Sequence, residues 1–274
     1  MTMTQTPPEM AAIKAKMKAT WEAGDFGMIA KTIEPAAEEF IERLKLTPGT
    51  RVLDVACGSG NLSIPAAKRG AKVVGVDIAT NLVEQARARA KAEGVEARFD
   101  EGDAEKLPYR DGEFDVVVSM FGVMFAPRPD VAAAELVRVC KSGGTIALAN
   151  WSTTSFAAEM FKIVSAHVPP PPGIPPSIQW GDEAIVRQRL AKGIADLRFA
   201  KRTRMVTFPF GPAEVVEHFK KYFGPTNRAF AALDESGQAA LRKDLEQNWT
   251  ARNLARDGTT QVGAEYLEVI AKRG

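Results

Sequence analysis

The stretch Arg51-Val-Leu-Asp-Val-Ala-Cys-Gly-Ser-Gly60 decides the fold. Its apolar part, residues 52–55, predicts a buried parallel strand, and a helix over about residues 61–68 follows the glycine loop. Because glycine has no Cβ and adopts φ > 0 readily, the loop at Gly58 and Gly60 can turn tightly and lie against a ligand. A strand, a glycine turn and a helix in this order are typical of the first βα unit of a nucleotide-binding α/β sheet.

The spacing within the loop argues against a dinucleotide site. A G-x-G-x-x-G fingerprint counted from Gly58 needs a third glycine at position 63, where the chain has Ser63. The second predicted strand, residues 72–77, ends in Asp77, 17 residues after Gly60. A carboxylate at this strand tip can accept hydrogen bonds from both ribose hydroxyls of an adenosine.

An ordered series of elements continues from there. A helix over residues 78–93 and a third strand over 95–99 lead to the acidic loop Gly102-Asp-Ala104. Residues 114–119 form a continuous apolar run, as expected for a strand covered on both faces, and Lys141-Ser-Gly-Gly144 precedes a fifth strand. The order of these elements is more specific than the glycine loop alone.

This series resembles the motifs of class I S-adenosylmethionine methyltransferases over roughly residues 50–150. In that family, small-x-Gly-x-Gly is matched by Ala56-Cys-Gly-Ser-Gly60, and the closest likeness is to small-molecule and quinone-biosynthesis-type members. The resemblance implies an α/β fold, with a Rossmann-like, seven-stranded, mostly parallel sheet, helices on both faces and an antiparallel last strand. In this chain we expect an additional helical cap.

The resemblance also implies a site for S-adenosylmethionine, which the reaction converts to S-adenosylhomocysteine. Asp54 is expected to hold the methionyl ammonium through water, Asp77 the ribose, and Asp103 the adenine amine. Ser119 and Met120 are expected to offer backbone groups to the ammonium. The full predicted set of cofactor-binding residues is Asp54, Ala56, Cys57, Gly58, Ser59, Gly60, Asp77, Ile78, Leu82, Asp103, Ala104, Ser119, Met120 and Phe121.

Aromatic and thioether side chains supply candidates for the acceptor pocket. Trp21 and Phe26 precede the core, where related methyltransferases often close over the cofactor, so we interpret them as lid residues. Met124 and Phe125 follow the fourth strand and are candidates for the sulfonium side, where an aromatic face favours a cation. Packing alone explains all four residues equally well. Alanines and lysines over residues 9–20 predict a helix with a solvated basic face.

The pattern contains no acid–base motif, and the reaction does not demand one. A methyl group on a sulfonium needs no acid to leave, so the enzyme chiefly has to align the nucleophile and exclude water. Catalytic residues therefore stay unassigned, with His167 and His218 as weak candidates for a base. No His/Cys/Asp cluster has the spacing of metal ligands, so no metal is expected.

Composition limits the class of protein. The 274 residues are 45% hydrophobic and 26% charged, as in an ordinary globular chain. The net charge of +2 is too near neutral to indicate a nucleic-acid-binding domain. The N-terminus lacks the apolar segment of a signal peptide, and the longest apolar run, residues 116–126, is too short for a bilayer. These features and the two cysteines predict a cytoplasmic protein with no membrane partner, and the oligomeric state stays open.

The expected organisation has four parts. Residues 1–34 form lid helices, and residues 35–150 form the S-adenosylmethionine-binding core. Residues 151–196 form a connection with a proline-rich spacer. Residues 197–274 supply the last two strands, and residues 211–263 between those strands form the helical cap.

The sequence thus predicts a methyltransferase acting on a small-molecule acceptor at an O, N or C nucleophile by in-line displacement. Two alternatives remain open at this stage. One is a nicotinamide-dependent oxidoreductase on a similar sheet. The other is a non-catalytic, regulatory protein that binds S-adenosylmethionine.

Overall fold

A computed structural model describes residues 7–274 of the chain, so the first six residues of the predicted lid region lie outside the described part. The strands are β1 Arg51–Val55, β2 Lys72–Asp77, β3 Ala97–Glu101, β4 Phe114–Met120, β5 Cys140–Trp151, β6 Ile194–Phe208 and β7 Thr260–Arg273. The helices are α1 Pro7–Trp21, α2 Phe26–Ala30, α3 Glu34–Arg43, α4 Ser63–Lys68, α5 Thr80–Ala92, α6 Pro129–Val139, α7 Phe156–His167, α8 Glu183–Arg189, α9 Pro212–Tyr222, α10 Gly224–Ala231 and α11 Glu235–Arg252.

All seven strands belong to one sheet, in the order β3-β2-β1-β4-β5-β7-β6. Strands β1 to β5 pair in parallel, and β7 runs antiparallel between β5 and β6. The chain order reverses between β1 and β4. In open α/β sheets, ligands bind at the carboxyl ends of the strands at such a switch point. The predicted fold class is confirmed.

The central strands are buried on both faces, which explains their continuous apolar sequence. Successive residues of β1 point to opposite sides. Val52 packs with Phe40 and Ile41 of α3, whereas Leu53 packs with Leu136 of α6. Helices therefore cover both faces, and the strands have little freedom to shift their register.

A helical cap lies beside the sheet. Its core joins α9, α10 and α11 to α7 and to the start of the β6–β7 hairpin, around Phe208, Phe219, Phe230 and Trp249. The helical part of the predicted cap region ends at Arg252. Residues 260–263, which were expected to belong to the cap, instead belong to β7.

The longer hairpin has a local cause. Register pairing continues to Phe208↔Thr260, and the buried Thr260 hydroxyl donates to the carbonyl of Phe210 at 2.8 Å. This bond holds the ends of β6 and β7 together where the two strands lead into the cap. Across residues 7–274, none of the helices has the length and apolarity needed to cross a lipid bilayer.

Candidate functional site

A cavity of about 920 Å³, counted to its open mouth, lies at the carboxyl ends of β1, β2 and β4. The glycine loop, the acidic ends of three strands and the inner side of α1 form its walls. Its lining residues are Met17, Trp21, Phe26, Ala30, Ile33, Asp54, Ala56, Cys57, Gly58, Ser59, Asn61, Leu62, Val76, Asp77, Ile78, Leu82, Gly102, Asp103, Ala104, Met120, Phe121, Gly122, Val123, Phe125 and Ala126.

The glycine loop after β1 uses left-handed backbone at three positions. Ala56, Gly58 and Gly60 have φ of 54°, 53° and 87°. A Cβ on Gly58 would meet only the ring of Phe26, at 3.6 Å, so Gly58 leaves its backbone open to the cavity. Gly60 instead faces inward, where a Cβ would lie 3.4 Å from Ile64. Gly58 therefore belongs to the cavity wall and Gly60 to the packing behind it.

Asp77 connects the end of β2 to this loop. Its Oδ2 accepts from the backbone N–H of Gly58, and its Oδ1 accepts from that of Ala79, both at 2.9 Å. Burial raises the pKa of Asp77, while these amide donors and the nearby charge of Lys18 oppose the rise. Each carboxylate oxygen keeps a second lone pair for a ligand hydroxyl.

Asp54 lies deeper, at 2% exposure, and accepts a 2.6 Å hydrogen bond from the hydroxyl of Ser63. Burial, reinforced by the charge of Asp77, raises the pKa of Asp54 to about 7, although the Ser63 hydroxyl opposes this shift. A cation bound beside Asp54 would favour its ionised form. The arrangement suits a buried counter-charge for an ammonium group.

Asp103 forms part of the cavity rim with two lysines from α1. Its Oδ1 accepts from the amide of Glu105 at 2.8 Å, and its Oδ2 pairs with Lys14 at 2.5 Å. Lys14 also pairs with the buried Glu105, and Lys18 pairs with Glu101 at 2.6 Å. The expected solvated basic face of α1 is therefore wrong for these two lysines, which hold the helix across the cavity mouth.

A second cavity, of about 620 Å³, joins the first beneath the cap. The two cavities share Trp21, Phe26, Ile33, Phe121 and Phe125 as lining residues. The remaining walls are almost entirely apolar, and they consist of Ile29, Thr32, Trp151, Phe156, Ala157, Met160, Phe161, Val206, Phe219, Phe223, Trp249, Val262 and Ala264.

Phe121 separates the two cavities in a constrained geometry. Its backbone has φ of 55°, and its ring stacks on Trp151 with centroids 3.7 Å apart and planes 3° from parallel. The next residue, Gly122, lies so close to Ala56 that a Cβ there would approach the Ala56 carbonyl oxygen to 2.6 Å. The loop after β4 is thereby held against the glycine loop, which fixes the position of the Phe121 ring.

Most of the predicted residues meet at the cavities. Trp21, Phe26 and Phe125 line both, and twelve of the cofactor set line the first: Asp54, Ala56, Cys57, Gly58, Ser59, Asp77, Ile78, Leu82, Asp103, Ala104, Met120 and Phe121.

Three predicted residues lie behind the walls. Gly60 faces the helix that follows it. The Ser119 hydroxyl is fully buried, donates to the Val55 carbonyl and accepts from the Val123 amide. Met124 is 1% exposed and packs in the sheet core. Gly60 and the side chains of Ser119 and Met124 therefore support the cavity without facing it.

Neither histidine faces a cavity. His167 pairs with Asp244 at 2.8 Å near the end of α7. His218 packs among Phe208, Phe210 and Tyr222 in the cap, where burial lowers its pKa. The structure gives no support to either as a base. Within residues 7–274, no group of three or more His, Cys, Asp and Glu side chains is placed to bind a metal ion.

Some lining residues had no motif to identify them. Met17 lies one helical turn before the predicted lid residue Trp21 on α1, and this spacing is the one signal that could have placed Met17 in the cavity wall. Asn61 follows the glycine loop. Its side-chain amide donates to the Ala30 carbonyl at 2.9 Å, and this bond connects the loop to α2.

Known proteins are similar to this chain in sequence and in fold. The family model described as "Methyltransferase domain" matches residues 52–144. An uncharacterized protein of Mycobacterium tuberculosis, Rv1405c, is 36% identical over the full length of both chains. A demethylmenaquinone methyltransferase of Renibacterium salmoninarum is 36% identical over 42% of this chain and 47% of its own.

The fold is also that of a solved structure. The YcgJ protein from Bacillus subtilis aligns with a TM-score of 0.58 at 18% identity, over 86% of this chain and 97% of its own. The matched methyltransferase domain contains the glycine loop and the acids of the second and third strands, which together line the cavity described above. The chain belongs to the class I S-adenosylmethionine-dependent methyltransferases.

Proposed function

We propose that this methyltransferase transfers a methyl group from S-adenosylmethionine to a small-molecule acceptor, at an O, N or C nucleophile, by in-line displacement. The observation that carries the proposal is the junction of two unlike cavities. One is lined by three carboxylates at successive strand ends, and the other is apolar and lies beneath the cap. Similarity to a demethylmenaquinone methyltransferase supports a small acceptor.

The residues of the first cavity fit the cofactor. Asp77 is proposed to accept from the ribose hydroxyls with its remaining lone pairs, and Asp103 to accept from the adenine amine. The open backbone at Gly58 leaves room for close approach, and the buried charge of Asp54 suits the methionyl ammonium. Ile78 and Leu82 supply apolar walls beside Asp77.

When bound, S-adenosylmethionine supplies an activated methyl group on a sulfonium that needs no acid to leave. The chain's own contribution is geometry and exclusion of water. The stacked rings of Phe121 and Trp151 form a rigid wall where the cavities meet, and Trp21 of the lid contacts Phe125 edge-on at 4.9 Å. Aromatic faces favour a nearby cation, and alignment of the acceptor at about 3–3.5 Å contributes much of the rate.

The alternatives receive less support. At the position where a dinucleotide fingerprint has its third glycine, Ser63 instead donates its hydroxyl to Asp54. A nucleic acid is a poor fit as acceptor because the net charge is near zero and the apolar cavity lies beneath the cap. A regulatory protein without activity would bind the cofactor but release no product.

The direct test is methyl transfer from labelled S-adenosylmethionine across phenols, quinols, amines and thiols, with released S-adenosylhomocysteine as the readout. Calorimetry should first show micromolar-range binding of S-adenosylhomocysteine. Absence of such binding would contradict the proposed site, and a fluorescence change on mixing with NADH would favour the oxidoreductase alternative.

A further inference from the structure

We propose that the acceptor is an aromatic hydroxyl compound, uncharged apart from its reacting oxygen, and that its hydroxyl ionises without a base from the described part of the chain. The inference rests on the proposed function and specifies its substrate class. It combines two observations, namely the chemistry of the apolar cavity walls and the placement of the ionisable side chains nearest to them.

The walls of the apolar cavity select against charge. More than half of its lining residues are aromatic, and of the side chains described there, none is ionisable. Thr32 carries a hydroxyl, but that hydroxyl already donates to the carbonyl of Ile29 at 2.8 Å. A charged group on the acceptor body would therefore lose its hydration without gaining a partner, which is strongly unfavourable.

The same walls favour a flat aromatic body. Rings surround the cavity in edge-on and tilted pairs, such as Phe125 with Phe161 at 5.7 Å and Phe156 with Trp249 at 4.2 Å. Another aromatic ring entering this set makes edge-to-face and offset contacts, each contributing about 0.5–1.5 kcal/mol beyond the burial of area. An aliphatic amine, in contrast, would arrive as a cation beside the sulfonium and meet no carboxylate in this cavity.

The proton of the reacting hydroxyl has no described acceptor at the junction. None of the five residues that line both cavities is ionisable, and His218 of the cap packs against Phe208, Phe210 and Tyr222 outside the cavity. The hydroxyl therefore releases its proton to water before transfer. The oxygen lone pair then forms the O–CH₃ bond, and the electron pair of the broken C–S bond stays on sulfur. An anion and a cation become two neutral groups, a change that low-dielectric walls favour.

Binding can be measured without turnover. The probe is 2-naphthol, added to protein saturated with S-adenosylhomocysteine, and the signal is tryptophan fluorescence, because Trp21, Trp151 and Trp249 line the cavity. We expect quenching with micromolar-range affinity. A naphthol carrying a ring sulfonate should bind at least tenfold more weakly.

A matched pair of variants tests whether 2-naphthol binds in the apolar cavity. Phe161→Ala removes a ring from the cavity wall and should weaken 2-naphthol binding at least fivefold, with unchanged affinity for S-adenosylhomocysteine. Phe199→Ala removes a ring on β6 that lies under Arg187, away from both cavities, and should leave both affinities unchanged. Should Phe161→Ala not fold, Phe161→Leu tests the same contact.

The pH dependence of turnover decides the origin of the proton. With saturating donor, the midpoint of kcat against pH should move with the acceptor, and lie lower for a ring-nitrated naphthol than for 2-naphthol. An unmoved midpoint would reveal a base on the enzyme and overturn the inference. So would S-adenosylhomocysteine binding without naphthol binding, or faster methylation of a hydrophilic amine. Failure of S-adenosylhomocysteine to bind would instead overturn the proposed function.

Discussion

Three carboxylates at the strand ends are each held by a different kind of partner. Asp77 is held by backbone amides, Asp54 by the hydroxyl of Ser63, and Asp103 by an amide together with Lys14. Amide donors hold a charge without adding a mobile cation, so Asp77 is positioned before any ligand arrives. The roles proposed for these residues can therefore be tested one at a time.

Asp77→Ala should weaken the binding of S-adenosylhomocysteine at least tenfold, a loss of about 1.4 kcal/mol or more. The variant removes both the proposed ribose contacts and the acceptor that fixes the Gly58 amide. Calorimetry measures the change, with Asp130→Ala as control, because the Asp130 side chain is 86% exposed and lies outside the cavity. Equal affinities for the two variants would contradict the site.

Asp54 predicts a pH dependence near neutrality. Its pKa is raised to about 7, so the ionised form that pairs with the methionyl ammonium accumulates as pH rises through that value. Cofactor binding should accordingly strengthen between pH 6 and 8. Calorimetry across this range would detect the slope, and Asp54→Asn should abolish it. A flat profile in the unsubstituted protein would exclude an ionisable Asp54 from binding.

The same residue should reduce stability. Because the folded pKa of Asp54 lies above its usual value of 3.8, the neutral form is the one that folding favours. The neutral carboxyl contributes its full stability below about pH 4, and this contribution is lost as the pH rises through about 7. Asp54→Asn should therefore raise Tm at pH 8 by at least about 3 °C, roughly 1 kcal/mol for a domain of this size. The gain should shrink as the pH is lowered towards 5.

For single residues, the sequence predicted which residues lie at the site but not which of them face the cavity. Asp54 and Asp103 were identified from the family resemblance, and Asp77 also because a carboxylate at the tip of the second predicted strand suits a ribose. Gly60 and Ser119 turned out to face inward because the local backbone, not the motif, decides orientation. The bond between Ser63 and Asp54 spans a loop, so no spacing rule pointed to it.

Among the elements, α1 has the clearest effect on access to the cavity. Its lysines reach acids at the end of β3 and just after it, and its Met17 and Trp21 line the cavity. Partly buried ion pairs are screened less by salt than exposed pairs, so these contacts can order the helix over bound cofactor. The lid role proposed for this region therefore depends on lysines that amphipathic patterning alone would leave in solvent.

Lys14→Met should loosen α1 without removing the cavity. The side chain of Lys14 is only 16% exposed and bridges Asp103 and Glu105, whereas Lys16 of the same helix is exposed. With S-adenosylhomocysteine bound, amides of residues 9–21 should exchange several-fold faster in Lys14→Met than in the control Lys16→Met. Identical exchange in the two variants would assign α1 no closing role through this lysine.

The elements themselves were predictable where the pattern is strong, and their ends were not. Strands β1 and β4 are covered by helices on both faces, so their continuous apolar sequence identifies them. Residues 1–34 were predicted as lid helices without separate bounds for α2, since its five residues are too few for a periodic signal. The N-cap of α5 is Ala79, which offers no side-chain hydrogen bond, and Thr80 in the first turn binds Lys18 and Glu101.

For the whole molecule, cap and sheet should behave as one unit. The cap helices lie between β6 and β7 in the chain, and their core includes Val206, Phe208 and Val262 of those strands. Loosening the cap therefore disturbs strands that are paired into the sheet. The sequence could place the cap between two strands. It could not show that the cap closes an apolar cavity against Phe121, because that contact depends on tertiary packing.

Leu241→Ala tests this unity. Leu241 is fully buried in the cap and lines neither cavity, so its truncation should cost about 2–4 kcal/mol of unfolding free energy. Calorimetry should show one transition at lower temperature. The control is Leu254→Ala, whose side chain is largely exposed and which should change Tm little. Two separate transitions in Leu241→Ala would mean that cap and sheet unfold independently.

The position of β7 between β5 and β6 has a consequence for synthesis on the ribosome. When β6 emerges, the strand that will join it to the rest of the sheet has not been made, because pairing at Phe208 waits for Thr260. Until β7 is made, β6 exposes unpaired backbone groups and its apolar side chains, which favours association with strands of other chains. Assembly of this part of the sheet is therefore delayed until the cap helices and β7 have been synthesised, and chaperones can act on β6 during that interval.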